Sequence, residues 1–155
     1  MTDRRELLGW IQEYEKRTGD KFQALPGFTL WYLPDRGFCQ WKPMDKNRTI
    51  LCWSLCHDAK FWRDALECVA MQFGYDRIMT VCILPIKAYI RYWGWKIEQD
   101  FVKEDGLHRY ICSDKQGREV VITPKCVFKD GSVNYFVTNE LRRQYKPWKN
   151  ADERE

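Results

Sequence analysis

The sequence predicts an α/β (α+β) protein built on a mixed sheet with two central parallel strands. Three observations predict it. Thr49 to Cys56 is a nearly continuous apolar run, a helical period follows, and a second apolar run spans Ile78 to Ile83. A strand–helix–strand connection of that kind is a right-handed crossover, which makes its two strands parallel. Upstream lie one amphipathic helix and a hairpin, and downstream of Gly94 the pattern turns to short strands separated by turn residues, including an extra C-terminal hairpin. At 155 residues the chain suits a single domain. With 45% hydrophobic and 31% charged residues, a disordered or fibrous chain is excluded. The longest apolar run, Met79 to Pro85, falls far short of the ~20 residues that cross a bilayer.

In chain order, residues 3–18 read as an amphipathic helix. Asp3 and Glu6 have the spacing of a capping box, Leu7, Trp10, Ile11 and Tyr14 form one face, and Gly19 ends it. Residues 27–33 read as an aromatic-rich strand. Pro34-Asp35-Arg36-Gly37 is turn chemistry, Phe38 to Trp41 returns, and Pro43 to Arg48 is a polar loop. After the central strand, Asp58 is placed to cap a helix whose stripe is Trp62, Ala65, Leu66, Val69 and Phe73, closed by Gly74. Pro85 suits the first turn of a short helix with Ile86, Tyr89, Ile90 and Trp93 inward, stopped by Gly94. Strands are predicted over 95–102, 109–112 and 120–123, then a hairpin from Lys125 to Thr138 turning at Asp130-Gly131. Residues 1–138 are thus expected as one domain, and 139–155 as a helical turn and a solvated tail.

Charge is nearly balanced, at a net +4, and the signs alternate along most of the chain. A dedicated nucleic-acid binder shows a basic stripe. The one basic cluster, Arg142, Arg143, Lys146 and Lys149, is partly offset by Asp152, Glu153 and Glu155, so nucleic acid is not an expected partner. Seven cysteines show no paired spacing, and most sit in apolar runs, so they read as buried free thiols in a reducing, cytoplasmic setting. Cys52-x-x-x-Cys56-His57 lacks the spacing and the second ligand pair of a zinc site, so no metal is expected. The charged start, Met1 to Glu6, does not read as a secretion signal. Twenty-four aromatic residues, eight each of Trp, Tyr and Phe, make up 15% of the chain; much of that is core, and composition does not say which of them line a groove. Trp31, Trp41 and Trp148 are candidate exposed anchors, with the core as the alternative favoured for Trp31.

Residues 49–102 resemble the heart of the GNAT (N-acetyltransferase) superfamily. The resemblance rests on the element order and on Leu84-Pro-Ile-Lys-Ala-Tyr-Ile-Arg-Tyr-Trp-Gly-Trp95. There Ala88 and Gly94 match the family's Asn-x-x-Ala helix that ends in Gly-Phe, with Trp95 for the Phe and Pro85 where the Asn would be. The style is also similar to GNAT-like proteins carried by bacteriophages and prophages. The resemblance implies an acyltransferase that binds acetyl-CoA in a loop patterned Arg/Gln-x-x-Gly-x-Gly/Ala after the central strand, using backbone amides and a helix N-terminus. The matching stretch here is Lys60-Phe-Trp-Arg63-Asp64-Ala65. Arg63 replaces the first glycine and Asp64 adds a negative charge beside the expected phosphates. Cys56, Lys60, Arg63 and Ala65 are therefore the expected cofactor-binding positions.

The resemblance also implies a tyrosine on the short helix that protonates the leaving thiolate. Counting from Ala88 selects Tyr92, and counting back from Gly94 selects Ile90. Tyr92 is the candidate acid, and Asp58 is the candidate base, with helix capping as its alternative. His57 reads as an ordinary loop histidine, and Cys56 as a nucleophile only if the helix N-terminus lowers its pKa. Three readings stay open. One is an N-acyltransferase acting on a small-molecule or protein amine. The second is a catalytically inactive GNAT-like module that binds a protein partner through exposed aromatics. The third is a nucleic-acid-modifying relative. In each, the ligand site is expected where the two parallel strands part, near Cys56 and Ile83.

Overall fold

The computed structural model describes residues 3–142. One eight-stranded sheet carries three helices. Helix α1 (Leu7–Thr18) precedes a hairpin of β1 (Thr29–Leu33) and β2 (Gly37–Met44), and β3 (Thr49–His57) follows. Helix α2 (Ala59–Phe73) crosses to β4 (Arg77–Cys82), and α3 (Ile86–Trp93) leads to β5 (Lys96–Val102), β6 (His108–Ser113), β7 (Glu119–Val127) and β8 (Val133–Glu140). The strand order is β1-β2-β3-β4-β8-β7-β6-β5, with β3 and β4 parallel and every other pair antiparallel. The predicted mixed sheet with one parallel pair is therefore present.

Several boundaries differ for local reasons. Helix α1 begins only at Leu7: the Arg5 backbone donates to the Pro34 carbonyl and accepts from the Tyr32 hydroxyl instead of joining the helix, Asp3 pairs with Arg5, and no side chain caps the first turn. Strand β2 runs on through Pro43 to Met44, since its register with β3 persists to Thr49; the expected loop shrinks to the 3-10 turn Asp45–Asn47. Residues 120–127, expected in two separate strands, form a single one, β7, with a bulge between Pro124 and Cys126. Strand β8 extends to Glu140, so positions 139 and 140 are strand and not a helical turn. The rest of the expected tail, with Trp148 and the basic positions 143, 146 and 149, lies outside the described residues. Phe73, expected in the α2 stripe, is 69% exposed, and Ala70 takes the buried place one turn earlier. Cys68, expected with the buried thiols, is exposed on the outer side of α2.

Strand alternation sorts the core into layers. Phe38 and Cys56 pack under Trp10 and Tyr14 of α1. Their neighbours Cys39, Ile50 and Cys52 point the other way and pack with Ile78 under Trp62, Leu66 and Ala70 of α2. Trp31 and Trp41 join this second layer as half-buried side chains and are not free anchors. Helix α3 lies on the same face as α2, with Ile86 and Ile90 over Cys82, Cys112, Val120, Ile122 and Val137. The β1–β3 part of the sheet is thus covered on both faces where Leu30, Tyr32, Phe38 and Cys56 lie under α1, while Lys42 and Trp53 lie on the same face beyond that cluster. The β4–β8 part is covered on one, and no helix among the described residues lies over its other face.

Candidate functional site

The parallel pair defines the site. Backbone pairing between β3 and β4 spans only Thr49–Cys52 against Arg77–Thr80. Beyond it, β3 continues to His57 and β4 to Cys82, so the strands part after Cys52, earlier than the expected point near Cys56. Two features turn β3 away. A bulge at Trp53 shifts its register with β2 between Gln40 and Trp41. The strand then ends in His57, whose φ of +76° turns the chain straight into α2. Gly37 makes that corner possible. It sits opposite His57 with φ +91°, and a Cβ there would run into the Cys56 carbonyl.

Asp58 is the only residue between β3 and α2. Its carboxylate accepts the Phe61 amide at 3.2 Å and pairs with Arg36 at 2.5 Å. Burial pulls this carboxyl upward, but the hydrogen bonds from Arg36 and the Phe61 amide prevail and hold it below the ordinary carboxylate range. The helix start therefore carries its own anion and counter-cation. Lys60 to Ala65, the stretch that the resemblance aligns with an acetyl-CoA loop, fall inside the first two turns of α2, where the helical period and the Asp58 cap predict a helix.

The space between the parted strands is filled from above by α2 and α3. The Arg63 guanidinium, 12% exposed, turns inward, donates to Asn139 Oδ1 at 2.6 Å and pairs with Glu67 at 3.4 Å. Burial lowers its pKa from the ordinary arginine value, and Glu67 opposes that. A connected network continues: Arg118 holds Glu67 and also donates to Asp114 at 2.8 Å, while Asn139 donates to the Glu119 and Glu140 carbonyls. Tyr89 lies against Thr80 with its hydroxyl at 3.3 Å, and burial pushes that phenol up to about 12. What remains is a cavity of about 30 Å³ bordered by Arg63, Tyr89, Trp93, Trp95 and Asn139. That is room for a water or two.

The positions named from sequence are scattered around this wedge. Tyr92, 53% exposed, stands on the outer side of α3, and the Lys60 ammonium lies 5.7 Å from its ring. These two are brought together at the start of α2. Asp58 is nearby in sequence but is held by Arg36. The Cys56 thiol points to the opposite face of the sheet, donating to the Trp10 carbonyl at 3.5 Å beneath α1. Burial pushes it up to about 11, the reverse of what a thiolate nucleophile needs. His57 is stacked on the Trp10 ring at 4.4 Å.

Local sequence patterns do not reveal the Arg63–Asn139–Asp114–Arg118–Glu67 network. Its members lie on α2, the β6–β7 turn and β8, and only the folded sheet brings them within reach. The residues at the helix start do not fit a pyrophosphate: the capping carboxylate faces where the anion would go, and Arg63 is engaged inside. No family model, no curated protein and no solved structure matches the chain.

Proposed function

We propose that this chain is a GNAT-like protein that works as a non-catalytic binding module. One observation carries the reading: the opening between β3 and β4 is occupied by the protein's own buried side chains, down to a cavity of about 30 Å³. A pantetheine arm is many times that volume. The ionic network beneath it resists opening, because breaking a buried charge pair costs about 3–5 kcal/mol. The self-capped start of α2 supports the same reading, since Asp58 repels a second anion. Such a protein acts through its outer surface. Calorimetry and thermal shift with acetyl-CoA at millimolar concentration test it. The expected result is no heat and no change in Tm. Saturable micromolar binding overturns it.

A second reading, an acyl-CoA-dependent N-acyltransferase acting on an amine, is favoured by one observation. The Lys60 ammonium on α2 lies 5.7 Å from the ring of Tyr92 on α3, so two of the residues named from sequence are neighbours. If acetyl transfer to a polyamine is detected, Tyr92→Phe separates the roles: an unchanged rate removes Tyr92 as the acid.

A further inference from the structure

We infer that the uncovered face of the sheet binds single-stranded nucleic acid, with Phe28, Trp53 and Phe136 as stacking platforms and Lys42 and Lys125 facing phosphates. The inference deepens the binding-module reading and rests on it.

Five side chains form a continuous row on this face. The Lys42 ammonium lies 5.5 Å from the Phe28 ring. Phe28 meets Trp53 edge-on, with centroids 6.2 Å apart. Lys125 then sits 5.6 Å from the Trp53 ring and 6.0 Å from that of Phe136. Register places them on one side. Lys42 alternates with the inward Trp41, and Phe136 with the inward Val137. The bulge at Trp53 keeps that indole on the α1-side surface, 37% exposed, and the bulge at Lys125 aims the lysine across β8. The row spans β2 to β7, four strand spacings or roughly 20 Å. Behind it, Met79, Val81, Val121 and Thr138 are half-buried, with no helix among the described residues above them.

Lysine, not arginine, supplies the charge along this row. The arginines at 5, 36, 48, 63, 77, 109 and 118 are each held by a carboxylate. Lys42 and Lys125, like most described lysines, are in no ion pair; what sets them apart is that their ammonium groups lie beside rings of one connected row. Alternating flat rings and unneutralised cations match a ligand that alternates π-faces with negative charge. Base stacking on aromatic residues together with a cationic track is how single strands are bound without sequence preference. A second copy of this chain is a poorer occupant, since it would set unpaired lysines against the same cationic row. An acidic peptide would pair with the lysines but presents a flat face to the rings only where it carries aromatic or proline residues.

The test uses the full chain and a fluorescein-labelled oligothymidylate of about 12 nucleotides, read by anisotropy, against its duplex and against polyglutamate. Expected is single-strand binding that weakens as salt rises. Trp53→Ala weakens it roughly tenfold. Lys125→Glu, an exposed change that leaves the core untouched, weakens it and flattens the log K against log salt slope by roughly 0.7 for each phosphate no longer neutralised. Met71→Gln, on the outer side of α2, leaves it unchanged. Equal affinity in Trp53→Ala and Lys125→Glu, preference for the duplex, or equal binding of polyglutamate overturns the inference. So does a dimer in sedimentation that Lys125→Glu dissolves. If oligothymidylate and acetyl-CoA are both silent, this ligand falls while the module reading stands. Acetyl-CoA binding removes the module reading whatever the nucleic acid does.

Discussion

Strands β1–β3 and strands β4–β8 belong to one sheet but live in different surroundings. The first group is sandwiched between α1 and α2, and both faces of β3 bury residues, Ile50 and Cys52 on one and Cys56 on the other. The second group has α3 on one face and no helix among the described residues on the other. Along β7, Val120 is 0% exposed while its neighbour Val121 is half-buried on the open side. The comparison teaches where each half tolerates change. The sandwiched half fixes geometry, including the corner at Gly37, His57 and Asp58 that sends the chain into α2. The half with a free face keeps a surface available for recognition.

The largest expected effect lies at a glycine in each half. Gly37 and Gly131 share a left-handed backbone, with φ of +91° and +88°. A methyl group at Gly37 collides with the Cys56 backbone, whereas at Gly131 nothing lies within 4 Å. Gly37→Ala should cost about 4 kcal/mol or more, and Gly131→Ala only the conformational penalty of about 1–2 kcal/mol. Urea denaturation measures both, and equal losses would erase the contrast between the two halves.

A smaller and sharper test stays within one strand. Val120→Ala should lose about 2 kcal/mol, as a buried aliphatic truncation does, and Val121→Ala about 0.5 kcal/mol. Similar losses would mean that the open face is covered in solution.

The smallest effect concerns the capped helix of the sandwiched half. Asp58→Ala should cost about 1 kcal/mol at neutral pH. The folded Asp58 pKa lies below its ordinary 3.8, so the wild-type advantage is complete above that value and fades as pH falls through the lower folded one. Melting curves of the two proteins should therefore converge under strongly acidic conditions. A gap that stays constant with pH would assign the loss to packing and not to the charged cap.

The oligothymidylate titration sharpens the comparison from the other side, because Trp53 and Lys125 border the open half while Met71 lies on the covered one.

Local chemistry alone determined much of this protein. Apolar runs and helical spacing placed all three helices and the parallel pair, because periodicity and capping act within a few residues. Asp58 announced itself as a cap, and Pro85 and Gly94 bracketed α3. Tertiary structure decided the rest, since side chains far apart in sequence meet only once strands are in register. It turned Arg63 inward to Asn139, a residue 76 positions away. It put the Cys56 thiol on the face opposite the wedge and carried β2 through Pro43. It also left one sheet face bare, a matter of how many helices a fold supplies and where their connections allow them to lie. No window of sequence contains that information, because an uncovered strand and a covered one alternate in the same way until something is, or is not, packed against them.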